Sequence, residues 1–257
     1  MWVRKGGILL TSYPYACVLY SQYRDSVCSY CIQEFVTGHR CTECATVVYC
    51  SRSCMLQDTH HGLECGLLAD SGVQPSTPTA WLLMRLWLRI CQEQEGEEGL
   101  QGEIVPGLGR KRTFSDFLSH ESEIRQNKVM MGHIATHFKD LQDILLDKMP
   151  DFTEFMQLYG RMVINNFELI TLLSGEESLG IGVYLAPSVV DHSCKPNAWV
   201  EFDGRKLIMR SYVDREKVDM SKVYISYIDS EEEDSKVRQE YLKKHYFFNC
   251  GCLRCVM

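Results

Sequence analysis

The stretch Asp191-His192-Ser193-Cys194-Lys195-Pro196-Asn197 decides how this chain is read once it is set beside the tail Cys250-Gly251-Cys252-Leu253-Arg254-Cys255. Alone, Cys194 reads as a small buried hydrophobe. The tail packs three thiols into six residues, one short of the four ligands that tetrahedral zinc prefers. Cys194 is the natural fourth ligand, brought in by folding. A metal there ties the His-Ser-Cys turn to the tail and closes a pocket between them. The sequence therefore places a site where these two segments meet.

The 257 residues, 45% hydrophobic and 24% charged, have an ordinary globular balance and length for one large domain or two modest ones. The net charge of −7, with its clearest acidic run at 229–234, counts against direct DNA binding, which calls for a basic stripe. The clusters Arg110-Lys111-Arg112 and Lys243-Lys244-His245 read as solvated surface. Thirteen cysteines in a chain this long do not suit the disulfide framework of a small secreted domain; their C-x2-C spacings point to zinc and a reducing compartment. Arg4-Lys5 precedes an apolar-leaning run, but Ser12, Pro14 and the tyrosines break it and no small-residue cleavage site follows, so no signal peptide is expected. No stretch approaches the ~20 apolar residues of a membrane span.

Residues 8–20 are rich in β-formers around Pro14 and predict one or two short strands. From there to residue 65 run Cys28-x2-Cys31, Cys41-x2-Cys44, Cys50-x3-Cys54 and His61-x3-Cys65, ligands enough for two closed tetrahedral sites. A segment this short cannot build a core, so metal must supply its folding energy. His60 could replace His61, although the three-residue gap from His61 to Cys65 fits zinc spacing. Interleaved pairing is expected, with Cys28, Cys31, Cys50 and Cys54 on one ion and Cys41, Cys44, His61 and Cys65 on the other. Spacing alone leaves that order open.

Further along, Thr77 is a candidate N-cap with Pro78 opening a strongly apolar helix through Ile90. The Gly-rich, acidic segment 96–109 predicts a mobile loop, and its lone Gly107-Leu-Gly109 is read as turn chemistry. Residues 114–148 carry a helical pattern (Ile134, Phe138, Leu141, Leu145), Pro150 ends it, and Asp151-x2-Glu154 reads as a capping box for another helix. The apolar run Phe167, Leu169, Ile170 and Leu172 extends the helical region to about residue 173. Trp199–Phe202, an Asp203-Gly204 turn and Lys206–Tyr212 predict a hairpin, and 223–228 alternate as a strand. Residues 229–245 read as a solvated helix leading to the tail.

The segment Cys28 to Cys65 resembles a MYND zinc finger. Together with Asp191-His192-Ser193-Cys194-x-Pro-Asn197, Tyr227 in Ile225-Ser-Tyr-Ile-Asp229 and the Cys-x-Cys-x2-Cys tail, the chain resembles the SET-and-MYND lysine methyltransferases, with the parts in the same order along essentially its whole length. The resemblance implies an α+β, β-rich SET fold split by a MYND finger and a helical insert and closed by a zinc-binding post-SET tail. It implies a truncated N-terminal part of the SET domain at 1–27, the finger at 28–65, the insert at 66–160, the core SET domain at 161–229 and the post-SET helix and tail at 230–257.

It also implies roles. Tyr227 is the hydroxyl expected near the transferring methyl. Tyr246 and Phe248 stand where the family places an aromatic channel wall and an adenine-stacking ring. Asn165, in Val163-Ile-Asn-Asn-Phe167, matches an Asn-bearing cofactor segment. Asp191 and His192 occupy the cofactor-contacting pair, and His120 in Ser119-His120 is a further cofactor candidate. Without the flanking motifs these residues would read as core aromatics, a half-buried strand tyrosine, a capping asparagine and structural histidines. Departures accompany the match: Asp191 replaces the family's Asn, Val218-Asp-Met-Ser-Lys222 replaces an acidic Gly-Glu-Glu, and the glycine-rich cofactor segment and the large helical C-terminal domain are not in this sequence.

The expected activity is S-adenosylmethionine-dependent methylation of lysine on histones or other proteins, in nucleus and cytoplasm, with three zinc ions and no membrane partner. The second reading is a non-catalytic adaptor whose finger binds proline-containing peptides in transcriptional regulation. Tyr227, Tyr246, Phe248 and the complete tail favour the enzyme; the missing glycine segment and Asp191 favour the adaptor.

Overall fold

The computed structural model describes residues 2–96, 101–171, 177–228 and 234–256. Its strands are β1 (Ile8–Ser12), β2 (Ala16–Leu19), β3 (His39–Arg40), β4 (Val48–Tyr49), β5 (Gly102–Ile104), β6 (Lys111–Thr113), β7 (Asn166–Thr171), β8 (Glu177–Val183), β9 (Asp191–His192), β10 (Ala198–Asp203), β11 (Lys206–Ser211) and β12 (Tyr224–Ile225). Its α-helices are α1 (Arg52–Gln57), α2 (Thr59–Ser71), α3 (Pro78–Glu95), α4 (Glu121–Gln126), α5 (Lys128–Leu145), α6 (Phe152–Asn165), α7 (Ser235–Tyr246) and α8 (Leu253–Val256). The α+β class expected from the sequence is the one observed. The chain divides into two compact units: Met1–Tyr13, Gly102–Phe117 and Tyr184–Met257 form the first, and Pro14–Gln101 with Leu118–Val183 the second.

In the second unit, β2, β8 and β7 form an antiparallel sheet in that order, with Ala16 opposite Val183 and Val183 opposite Asn166. Gly180 fits because a Cβ there would lie 2.1 Å from the Val18 carbonyl oxygen. The Thr77 hydroxyl accepts from the Ala80 amide at 3.1 Å, and Pro78 opens α3 as its pattern predicts. Every residue from Ala80 to Leu86 is buried, the mark of a helix packed on all sides. The Asp151–Glu154 capping box forms and starts α6. The helical region ends earlier than its apolar run suggests, because residues 166–171 pair with β8 as a strand. A short apolar run does not distinguish a buried helix from a buried strand. Leu172 lies outside the described residues.

In the first unit, β1, β11 and β10 form an antiparallel sheet in that order. The predicted β10–β11 hairpin turns at Gly204, whose φ is +56°. Two expectations need correction. The Gly-rich segment contains an ordered hairpin, β5–β6, with Gly107 and Gly109 supplying positive φ in its turn; residues 97–100 lie outside the described residues. The strand read over 223–228 is only Tyr224–Ile225, paired in parallel with Asp191–His192. Its backbone donors go to side chains: the Tyr224 amide donates to Asn197 Oδ1 and the Tyr227 amide to His192 Nδ1, both at 3.0 Å. The predicted solvated helix appears as α7, started by the Asp234 carboxylate; residues 229–233 lie outside the described residues.

Candidate metal centres and the aromatic site beside Cys194

Two thiolates on one tetrahedral zinc stand about 3.8 Å apart, from a Zn–S length of ~2.3 Å, whereas a disulfide requires ~2.05 Å. In the second unit, Cys31 and Cys50 Sγ are 3.6 Å apart and Cys50 and Cys54 3.5 Å, and Cys28 completes that group. Cys41 and Cys65 Sγ are 3.5 Å apart and Cys44 Sγ lies 3.6 Å from His61 Nε2, closing a second group. These are the interleaved sets expected from the spacing. No disulfide forms among the described cysteines. The donor sets and separations suit zinc, and four protein ligands close each site.

Local structure aims these ligands. Ser51 caps α1 by accepting from the Cys54 amide, and Asp58 caps α2 by accepting from the His61 amide. His61 and Cys65, four apart on α2, share one face. His60 faces elsewhere, with Nε2 2.7 Å from the Tyr15 carbonyl oxygen. Behind His61 lies a group the sequence reading missed. Fully buried Glu64 places Oε1 3.4 Å from His61 Nδ1 and accepts from Trp81 Nε1 and from Arg85 Nε and Nη2. Burial opposes this carboxylate's charge, but Arg85 and the hydrogen bonds hold its pKa down at about 2. Such a carboxylate–histidine contact orients the imidazole toward a metal. The His61-x2-Glu64 spacing was a visible signal; the α3 partners had none.

In the first unit, Cys194 Sγ lies 3.8 Å from Cys250 and 3.4 Å from Cys255, and Cys252 completes a four-thiol group. The expected four-thiol grouping forms: the Asp-His-Ser-Cys turn and the tail come together. One face of α7 holds the tail. Gln239 accepts from the Cys250 amide at 2.8 Å and donates to its carbonyl at 2.6 Å. Arg238 donates to the Arg254 carbonyl and lies 3.7 Å from Cys255 Sγ, and Leu242 packs against Cys194 and Cys250. The clamp on the other side is Asn197, which accepts from the Tyr224 amide and donates to the Lys222 carbonyl.

On this group sits an aromatic cluster. The rings of Tyr227 and Tyr246 are 5.0 Å apart, His192 and Tyr227 5.3 Å, and His192 and Phe248 5.9 Å. The Tyr227 hydroxyl donates to the Val190 carbonyl, and the Tyr246 hydroxyl lies 3.4 Å from the Tyr227 carbonyl. Burial raises the Tyr227 pKa, as do the Asp191 charge and Tyr246, so the phenol is neutral. Burial and the Arg238 charge lower the His192 pKa to about 4. Arg112, read from the sequence as solvated, instead donates to Ser188 Oγ at 2.8 Å, covers the Phe117 ring, and lends its charge to Asp191 and Tyr227. Asp191, His192, Tyr227, Tyr246 and Phe248 thus belong to one unit. Asn165 and His120 lie in the other, where Asn165 Nδ2 donates to the Arg161 carbonyl and His120 takes a left-handed conformation (φ +49°) ahead of α4.

No protein-family model matches the chain. Among curated proteins it is 32% identical over 232 residues to SET domain and MYND-type zinc finger protein 6 of Schizosaccharomyces pombe, covering 89% of this chain and 43% of that one. It is 29% identical to Histone-lysine N-methyltransferase ASHR1 of Arabidopsis thaliana, over 98% of this chain and 51% of that one. It is 30% identical to N-lysine methyltransferase SMYD2 of Gallus gallus, over 98% of this chain and 55% of that one. The chain spans about half the length of the curated relatives it matches. Along nearly all of its length, through the two interleaved ligand sets and the four-cysteine group beside Tyr227, the chain is similar to SET-and-MYND proteins.

Proposed function

We propose that this chain carries the methyl-transfer centre of a protein-lysine N-methyltransferase. The observation that carries the reading is the cluster of Tyr227, Tyr246, Phe248 and His192 on the four-cysteine group. S-adenosylmethionine, when bound, supplies an electrophilic methyl on a sulfonium. A lysine amine, with a pKa near ~10.4 in water, must be neutral to attack it. An aromatic wall with few charges favours that state by withholding water. The Tyr227 phenol, its proton committed to the Val190 carbonyl, presents oxygen lone pairs and works by position, not as a base. Tyr246 braces the Tyr227 backbone, and the closed four-cysteine group holds these walls without entering the chemistry.

Asp191, His192, Phe248, Asn165 and His120 are assigned to the cofactor by motif. Histone tails or other lysine-bearing proteins are the proposed substrates, and the names of the relatives from Arabidopsis thaliana and Gallus gallus support that class. Proline-containing peptides are the proposed partners of the finger, in nucleus and cytoplasm. Calorimetric titration with S-adenosylmethionine, paired with methyl transfer from labelled cofactor to histones and lysine peptides, tests the reading. Micromolar binding and label on lysine are expected, and Tyr227→Phe should lower transfer by about 100-fold with zinc content unchanged. Binding restored only by Asp191→Asn would place a defect at that residue. Silence from both proteins would leave the finger as the functional part.

A further inference from the structure

His192 lies between the four-cysteine group and the tyrosine segment and touches both. Its Nδ1 faces the Tyr227 amide nitrogen at 3.0 Å, and its Nε2 faces Cys194 Sγ at 3.2 Å. A backbone amide only donates, so Nδ1 must present a lone pair. A neutral imidazole carries one ring proton, which this contact assigns to Nε2, aimed at the sulfur. A metal-bound Cys194 is a thiolate and accepts such a bond. His192 is 8% exposed, leaving little water to compete for either nitrogen. The geometry also explains where the strand stops. Ser193 donates to the Ile225 carbonyl in the ladder, and the next amide on that side, Tyr227, turns to the imidazole instead.

We infer that His192 is a positioning residue: as the fixed Nε2–H tautomer it links the Cys194 thiolate to the Tyr227 backbone, so that metal in the four-cysteine site sets the placement of the tyrosine. A flipped ring would turn Cδ2–H to the Tyr227 amide and an Nδ1–H tautomer would set two donors against each other there, and either would leave the thiolate one hydrogen bond short. The link between metal and tyrosine belongs to this chain whatever it methylates; its consequence for methyl transfer rests on the proposed activity.

The test uses the zinc-loaded and cobalt-substituted full chain, with His192→Phe and His192→Gln. In the ¹⁵N spectrum of ring-labelled wild type, His192 is expected with its proton on Nε2 and none on Nδ1. In His192→Phe with metal retained, the Tyr227 amide loses its acceptor and should exchange about ten-fold faster, the scale set by one hydrogen bond. The sulfur-to-cobalt charge-transfer band should move to lower energy, because a thiolate that loses an N–H donor is easier to oxidise. The Cys250 amide, held by Gln239, should be unaffected. His192→Gln, whose amide can donate to sulfur, should restore part of the band position. An Nδ1–H tautomer, an interconverting mixture, or an unchanged Tyr227 exchange rate in the variant would overturn the inference. Should His192→Phe fail to fold, the wild-type spectrum and the glutamine variant decide. None of these readouts needs cofactor or turnover, so failure of the methyltransferase reading would show separately, as absent binding and transfer with the tautomer and exchange results intact.

Discussion

The finger and the four-cysteine site use similar ligands but opposite constructions. In the finger, Cys41 and Cys65 are 24 residues apart and the supporting groups are Ser51, Asp58 and a buried ion pair. At the other site, Cys194 and Cys250 are 56 apart, and the supports are neutral or one-sided: the Gln239 amide, the Leu242 side chain, the Arg238 guanidinium and the His192 ring. The finger has little apolar interior of its own between residues 28 and 65, so metal substitutes for a core. The four-cysteine group instead joins segments that already belong to a sheet and a helix. Similar coordination can therefore create a fold in one place and fasten one in another.

Metal removal is the strongest way to break this comparison. Stepwise chelation followed by hydrogen exchange should abolish protection throughout 28–65, since structural zinc in such segments is worth about 10–16 kcal/mol of folding free energy. Loss of the third ion should expose the tail while the β10–β11 ladder keeps its protection; a ladder that melts with the tail would erase the distinction. Next in size, Glu64→Gln leaves the Arg85 charge buried without its counter-ion and should cost about 3–5 kcal/mol in denaturant unfolding, also loosening the ion held by His61. Gln239→Ala removes two hydrogen bonds to the Cys250 backbone and should cost about 1–3 kcal/mol, with the effect confined to the four-cysteine ion in a chelator competition. The smallest effect is expected from Asp234→Ala, which uncaps α7 for about 1 kcal/mol and should fray its first turn by hydrogen exchange.

Much of this was legible because it is local or chemically exclusive. Cysteine spacing marked both ligand sets of the finger, the isolated Cys194 and the three-cysteine tail demanded each other, and Thr77, Asp151 and Asp203-Gly204 announced their elements. The supports were harder to see. Glu64 and Arg85 are 21 residues apart and look like ordinary surface charges until α2 and α3 pack. Arg112 sat inside a basic run, and only its contacts with Ser188 and Phe117 take it out of solvent. The end of β12 was hidden for a related reason: alternation persists to Ile228, but the Asn197 and His192 side chains take hydrogen bonds that a neighbouring strand would otherwise supply.

The span between Cys194 and Cys250 bears on the order in which the protein assembles. Relative to the 24-residue span in the finger, closing 56 residues adds only about 0.8 kcal/mol of chain entropy, so the equilibrium scarcely notices it. The kinetics should notice it, because distant contacts form late. Between Cys194 and Cys250 the chain must place the β10–β11 hairpin and α7. In refolding with limiting zinc, the finger should capture its ions first and the four-cysteine group last, making that final capture a clock for completion of the first unit.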